Sequence, residues 1–160
     1  MNTSFEGKTE TGKDEWLTPP EIIKSLGEFD LDPCSPINRP WDTAKNHYTI
    51  QDDGLLLPWN GRVWLNPPYG NKIDAWLQKA ALHQNCMVLI FARTDTASFH
   101  ANVFNQADSI LFIKGRLKFY HVSGKQGDSA GAPSCLVSYN KENSQYLKNS
   151  NIKGKLITLK

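Results

Sequence analysis

An α/β fold around a mostly parallel central sheet is the architecture this sequence predicts, on three observations. Arg62-Val63-Trp64-Leu65 reads as a short strand. Ile73, Trp76, Leu77, Ala80, Ala81 and Leu82 then recur at helical spacing, and Met87-Val88-Leu89-Ile90-Phe91-Ala92 is a continuous apolar run of strand length. A strand, an amphipathic helix and a second strand apolar on both faces make a βαβ unit, which joins parallel strands. The 160 residues, 39% hydrophobic and 11% aromatic, suffice for one core and leave little room for a second.

Along the chain, residues 1–13 are polar with two glycines and predict a flexible tail, so that a single domain spans 14–160. Thr18 ahead of Pro19, Pro20, Glu21, Ile22, Ile23 and Leu26 predicts a helix capped by the hydroxyl and ended by Gly27. Phe29-Asp30-Leu31-Asp32 alternates and stops at Pro33, a short strand with a carboxylate at its end. Residues 34–61, rich in Pro, Asn and Asp, hold no long periodic element. Asn71 is the expected N-cap of the next helix. Beyond Ala92, Phe99, Val103 and Phe104 suggest a helix and Ile110-Leu111-Phe112-Ile113 a third buried strand. Gly115-Arg116 predicts a tight turn into Leu117-Lys118-Phe119-Tyr120, residues 123–133 a surface loop, and Cys135–Tyr139 a return to the sheet.

The composition excludes several classes. A net charge of +2 from 18 basic and 16 acidic residues does not announce a nucleic-acid binder and does not exclude a local basic face. Cys34, Cys86 and Cys135 form no CxxC and offer no zinc signature. His47, His83, His100 and His121 form no i,i+4 pair and no HExxH, so no metal site is expected; nor is there a GxSxG. The N-terminus lacks a signal-peptide apolar core and nothing approaches the roughly 20 apolar residues of a membrane span, so an intracellular protein is expected.

Asp32 and Asn66 both close expected strands, and in a parallel sheet ligands bind in the crevice beyond the strand C-termini. Asn66-Pro67-Pro68-Tyr69 has a chemical logic of its own. An amide oxygen accepts a proton from a planar amine, the prolines lack N–H groups and so leave nearby carbonyls free as acceptors, and an aromatic ring offers a stacking face.

Those four residues resemble the Asn-Pro-Pro-Tyr signature of amino-methyltransferases acting on DNA. Trp16-Leu17-Thr18-Pro19-Pro20-Glu21 resembles their Thr-Pro motif, and Leu31-Asp32-Pro33-Cys34 their acidic-Pro motif, in the same order along the chain. Phe91–Thr96, Lys114–Phe119 and Gly131-Ala132-Pro133 are similar to blocks of the phage-type DNA N6-adenine methyltransferases, the compact Dam-like enzymes of phages and prophages. The resemblance implies a compact Rossmann-like S-adenosylmethionine-dependent methyltransferase fold, and methyl transfer to adenine N6 in double-stranded DNA within a bacterial host's cytoplasm, serving protection from restriction. It implies that Asn66 and the Pro67 carbonyl accept the hydrogens of the target amine and that Tyr69 stacks on a flipped base. Thr18, Asp32, Pro33 and Cys34 then line the cofactor site, and Asp53, in Asp52-Asp53-Gly54-Leu55, bonds the cofactor's adenine amine.

Only about 30 residues separate the acidic-Pro motif from the catalytic loop, with no glycine cluster between them, so the fold is expected to be abbreviated there. The short chain implies lax or loop-based sequence preference. Arg93, Arg116 and Lys118, near strand ends and a turn, are the expected contacts to DNA phosphates. Cytosine N4 suits the same acceptors, RNA and protein amides share the loop, and a non-catalytic nucleic-acid-binding module with a lost cofactor site accounts for the missing glycines.

Overall fold

The computed structural model describes residues 16–160; the expected tail lies outside the described residues. The chain enters through β1 (Trp16–Leu17) and α1 (Pro20–Ser25), and Gly27, at φ 87°, follows the helix end as expected. Pro19, not Thr18, is the N-cap residue, and no side chain bonds the helix end. β2 (Leu31–Asp32) and β3 (Asn46–His47) are both short, and the intervening segment is irregular. β4 (Val63–Leu65), α2 (Ile73–His83) and β5 (Cys86–Phe91) form the expected βαβ unit with β4 and β5 parallel. Lys72, not Asn71, is the N-cap of α2, again without a side-chain bond.

The chain continues through α3 (Ala97–Phe99), whose N-cap Thr96 accepts a bond from the Phe99 N–H, into a π-helical turn at His100–Phe104. The buried Tyr139 hydroxyl donates to the Asn102 carbonyl of that turn at 2.5 Å. Then come β6 (Ser109–Ile113), β7 (Lys118–His121), β8 (Gln126–Ser129), β9 (Ser134–Tyr139), α4 (Lys141–Asn149) and β10 (Gly154–Thr158).

The main sheet has seven strands in the order β10-β6-β9-β5-β4-β2-β3, and here the expectation of a mostly parallel, Rossmann-like sheet is overturned. Only the short ladders β3–β2, β2–β4 and β4–β5 are parallel; the longer ones, β5–β9, β9–β6 and β6–β10, are antiparallel. The four α-helices are short. The cause of the misreading is physical: β9 is buried along its whole length, Ser134 and Ser138 included, and a strand covered on both faces carries no alternation to show which way its neighbours run. The turn expected at Gly115-Arg116 does not fold β7 back on β6. β7 instead pairs with β1 and β8 in a separate three-stranded antiparallel sheet, and β8 lies in the expected loop.

Side chains from β4, β5, β6 and β9 alternate between two cores. One, beneath α2 and the π-helical turn, contains Val63, Leu65, Trp76, Val88, Val103 and Val137; the other, beneath α1 and α4, contains Ile22, Trp64, Leu89, Leu136 and Leu147. Arg62, at the start of β4, ties α4 to the sheet edge. Its guanidinium lies between the Phe29 and Tyr146 rings, at 4.1 and 3.9 Å, and donates to Asn143 Oδ1 at 2.7 Å and the Glu28 carbonyl at 3.0 Å.

The irregular segment is held by close backbone packing. A Cβ added to Gly54 would fall 2.0 Å from the Pro33 carbonyl oxygen and 3.1 Å from Trp76 Cη2. Lys79 of α2 donates to the carbonyls of Gly54, Leu55 and Leu57, and Trp59 Nε1 to that of Gly54 at 2.8 Å. Gly54→Ala is therefore expected to cost about 1–3 kcal/mol as overpacking, lowering the melting temperature by roughly 2–10 °C, as differential scanning calorimetry would register.

Candidate active site

Strands β2, β4 and β5 are mutually parallel through the β2–β4 and β4–β5 ladders, so their C-terminal ends share one edge. β6 runs in the same direction as β5, because both are antiparallel to β9 between them. Asp32-Pro33-Cys34, Asn66–Tyr69, Arg93 and Lys114-Gly115-Arg116 consequently emerge on this edge. Gly131-Ala132-Pro133 joins them by preceding β9, with the Ala92 N–H bonded to the Pro133 carbonyl at 2.9 Å.

Asn66 stands at the end of β4 and is partly buried. Its Nδ2 donates to the hydroxyl of buried Thr18 at 3.0 Å, so the hydroxyl expected as a helix cap instead holds this amide. The bond engages Nδ2, and Oδ1 has no hydrogen-bond partner among the described residues. Pro67 is buried and Pro68 exposed. Tyr69 lies flat on Phe91, with ring centroids 4.1 Å apart and planes 3° from parallel, and the Arg93 guanidinium stands 5.6 Å from the same Phe91 ring. Tyr69 thus has one covered face. Its hydroxyl is buried without a hydrogen-bond partner among the described residues, and burial pushes its pKa upward.

Asp32 is 4% exposed, and both its oxygens are engaged. Oδ1 accepts the Cys34 N–H at 3.0 Å and Oδ2 accepts the Thr43 hydroxyl. Burial raises its pKa to about 6, against these two bonds and Arg39, which favour the charged form. The network continues through His47, whose Nε2 faces the Thr43 N–H at 3.2 Å and whose Nδ1 faces an Arg39 N–H at 3.1 Å. Desolvation and the positive charge of Arg39 lower the His47 pKa, against Asp42, so that the ring is favoured neutral, with one ring nitrogen accepting. Arg39 also bonds Asp42 at 3.3 Å.

Cys34 is partly buried and packs against the α2-side core, as do Leu55, Tyr48 and Tyr69. Asp53 is exposed, at a left-handed φ of 64°, with Oδ1 accepting the Leu55 N–H at 3.2 Å. The contact of Gly54 with Pro33 lays this turn against the acidic-Pro segment. Arg116 and Lys118 are exposed beyond β6, near α1, and Arg116 donates to the Ala130 carbonyl at 3.3 Å. Among the described residues, no group of three or more His, Cys, Asp or Glu side chains could hold a metal ion, and no helix is long and apolar enough to cross a membrane.

A family model described as DNA N-6-adenine-methyltransferase (Dam) matches residues 7–158. The chain belongs to this Dam family. No curated protein and no solved structure matches it. Membership supports adenine-N6 methyltransferase activity on DNA, and the Dam-like blocks that are scattered in sequence lie together along this one edge of the sheet.

The motif resemblance singles out Thr18, Asp32, Asn66 and Tyr69, whereas Thr43, His47, Arg39, Lys79 and Phe91, which contact these residues or the segments beside them, were not singled out. Thr43 and His47 lie in an aperiodic stretch, and their partnership with Asp32 exists only once β3 pairs with β2. Phe91 carries the signal of an ordinary core strand.

Asp32 has a folded-state pKa above its ordinary value, so it contributes stability below about pH 4 that is lost as pH rises through about 6. Lowered His47 works in the opposite sense below its ordinary value of 6.5. The difference between wild type and Asp32→Asn isolates the carboxyl: relative to the variant, wild type should lose about 3 kcal/mol between pH 4 and 7. Chemical denaturation across that range checks this, and a difference that does not change with pH would contradict the assignment.

Proposed function

We propose that this chain transfers a methyl group from S-adenosylmethionine to the N6 amine of adenine in double-stranded DNA, with relaxed or short-site specificity. The observation that carries the reading is the Asn66 amide, held by Thr18 with its oxygen free, beside Pro67 and Tyr69 on the edge shared by the Dam-family blocks. Asn66 Oδ1 and the Pro67 carbonyl accept the two amine hydrogens, draw the nitrogen toward tetrahedral geometry and localise its lone pair for attack. Pro68 adds no competing N–H, and it stiffens the loop. Tyr69, backed by Phe91, stacks its other face on the extruded base. Arg93, Arg116 and Lys118 contact phosphates that position the duplex.

The acceptor set supports this cofactor. Asp53 has a carboxylate oxygen without a partner among the described residues, suited to an exocyclic amine, and the acidic rim formed with Asp52 suits a cation. Pro33 and Cys34 line the wall between Asp53 and Asn66. Asp32, with both oxygens engaged, serves as a positioning residue for the Pro33–Thr43 segment. When bound, S-adenosylmethionine supplies a methyl group activated on a sulfonium sulfur.

Incubation with labelled cofactor and DNA, followed by nucleoside mass spectrometry, should yield N6-methyladenine; N4-methylcytosine would redirect the reading. No transfer together with no cofactor binding by calorimetry would leave a non-catalytic DNA-binding module. Asn66→Ala should stay folded and bind cofactor while turnover falls roughly a hundredfold, because the lost acceptor acts mainly in the transition state. Tyr69→Phe removes a hydroxyl that has no partner among the described residues and should retain activity and stability. Tyr69→Ala should weaken engagement of the flipped base about tenfold to a hundredfold, read by 2-aminopurine fluorescence at the target position, from a stacking loss of roughly 1–3 kcal/mol.

A further inference from the structure

The net charge of +2 conceals a strong segregation. Residues 114–160 carry nine Lys and Arg against Asp128 and Glu142 alone, a net of seven positive charges, while residues 1–113 carry a net of five negative ones. The sheet order converts this sequence asymmetry into a spatial one, with the acidic β2–β3 margin at one side and the basic β6–β10 margin at the other.

On the basic margin, like charges are set directly opposite one another. The β6–β10 register pairs Gly154 with Ile113, and the next step outward faces Lys153 with Lys114, whose N–H bonds the Lys153 carbonyl at 2.9 Å. Alternation along β10 puts Lys155 on the same face as Lys153. Like charges opposed across a ladder destabilise it, and they persist most readily where a counter-charge docks. All three lysines are exposed. Among the described residues the ion pairs are Arg39–Asp42, Lys45–Asp30 and His47–Asp42, all near the acidic margin. Lysines that merely blunt an edge strand would account for Lys153 and Lys155. They would not account for Lys114, Arg116 and Lys118, which follow the inner strand β6.

On the opposite face of the same margin, beside α1, runs a groove of about 540 Å³, lined by Pro19, Glu21, Arg116, Lys118, Gln126 and Asn151, among others. Pro19 directly follows Thr18, the residue that holds the Asn66 amide, so the groove leads away from the catalytic loop. Its side chains offer two cations and two carboxamide N–H donors, the groups that bind phosphate oxygens without reading sequence, against a single carboxylate, Glu21, on the α1 wall.

We propose that this groove, on the α1 face, and the Lys114–Lys153–Lys155 group, on the opposite α2 face, form one docking track across the strand ends of the β6–β10 margin for the phosphodiester backbone of DNA flanking the target base. The proposal rests on the reading of Asn66–Tyr69 as a DNA-methylating loop and adds where the duplex lies. Its test is equilibrium binding of a short fluorescent DNA duplex over a salt series, for wild type, Lys114→Gln/Lys153→Gln, Arg116→Gln/Lys118→Gln and Lys45→Gln on the opposite margin. Each lost phosphate contact lowers the slope of log affinity against log salt by about 0.9, so each double variant should lose about 1.8 and Lys45→Gln nothing. Lys114→Gln/Lys153→Gln should also melt no lower than wild type, since a repulsion is relieved. Unchanged slopes in both double variants, an equal fall in Lys45→Gln, or no DNA binding by wild type overturns the track. Methyl transfer by the wild type is scored separately. Transfer with unchanged slopes defeats the track alone, whereas lowered slopes without transfer defeat the methylation reading and leave the track standing.

Discussion

Pairing of the three residues Val63–Leu65 with parallel neighbours on both sides is the constraint on which the rest of the molecule depends. All three side chains are buried, and their backbone groups cannot be left unpaired away from water. Pairing to β2 on one side and β5 on the other fixes direction, and direction decides that Asp32, Asn66 and Phe91 emerge on the same edge. A reversed β4 would keep both cores apolar and send Asn66 to the opposite end of the sheet.

Two different devices hold the site on that edge. On the catalytic side, Thr18 and Phe91 position Asn66 and Tyr69 from elements that are distant in sequence, with one hydrogen bond and one ring contact. Toward the acidic-Pro segment, a chain of polar contacts from Asp32 through Thr43 and His47 to Arg39 gives shape to a stretch with almost no regular structure. Burying a carboxylate this completely is costly, and the raised Asp32 pKa measures that cost. A bonded carboxylate and the Gly54–Pro33 contact shape this segment, which has no glycine cluster.

Motif residues and the central βαβ unit were legible because their signals are local. Three-to-six-residue apolar runs, helical spacing from Ile73 to Leu82 and the tetrapeptide Asn66–Tyr69 need no knowledge of distant neighbours. The direction of β9, the separate sheet containing β7 and the insertion of β8 were not legible. A strand buried on both faces has the same composition in either orientation, and β8, Gln126–Ser129, carries no apolar residue to mark it. The Thr18 hydroxyl was expected as a helix cap and instead accepts from the Asn66 amide, because local rules cannot weigh a partner 48 residues away.

The sequence by itself determined which residues are candidates for the chemistry, since an acceptor amide between a strand and a Pro-Pro turn is specified by residue type and spacing. It also determined the charge imbalance between the two parts of the chain. Only the tertiary structure decided which groups face one another: Asn66 with Thr18, Tyr69 with Phe91, Asp32 with Thr43, and Lys114 with Lys153. The reason is that strand order and direction are set by burial and backbone pairing summed over the whole sheet, a sum to which no short segment holds the answer.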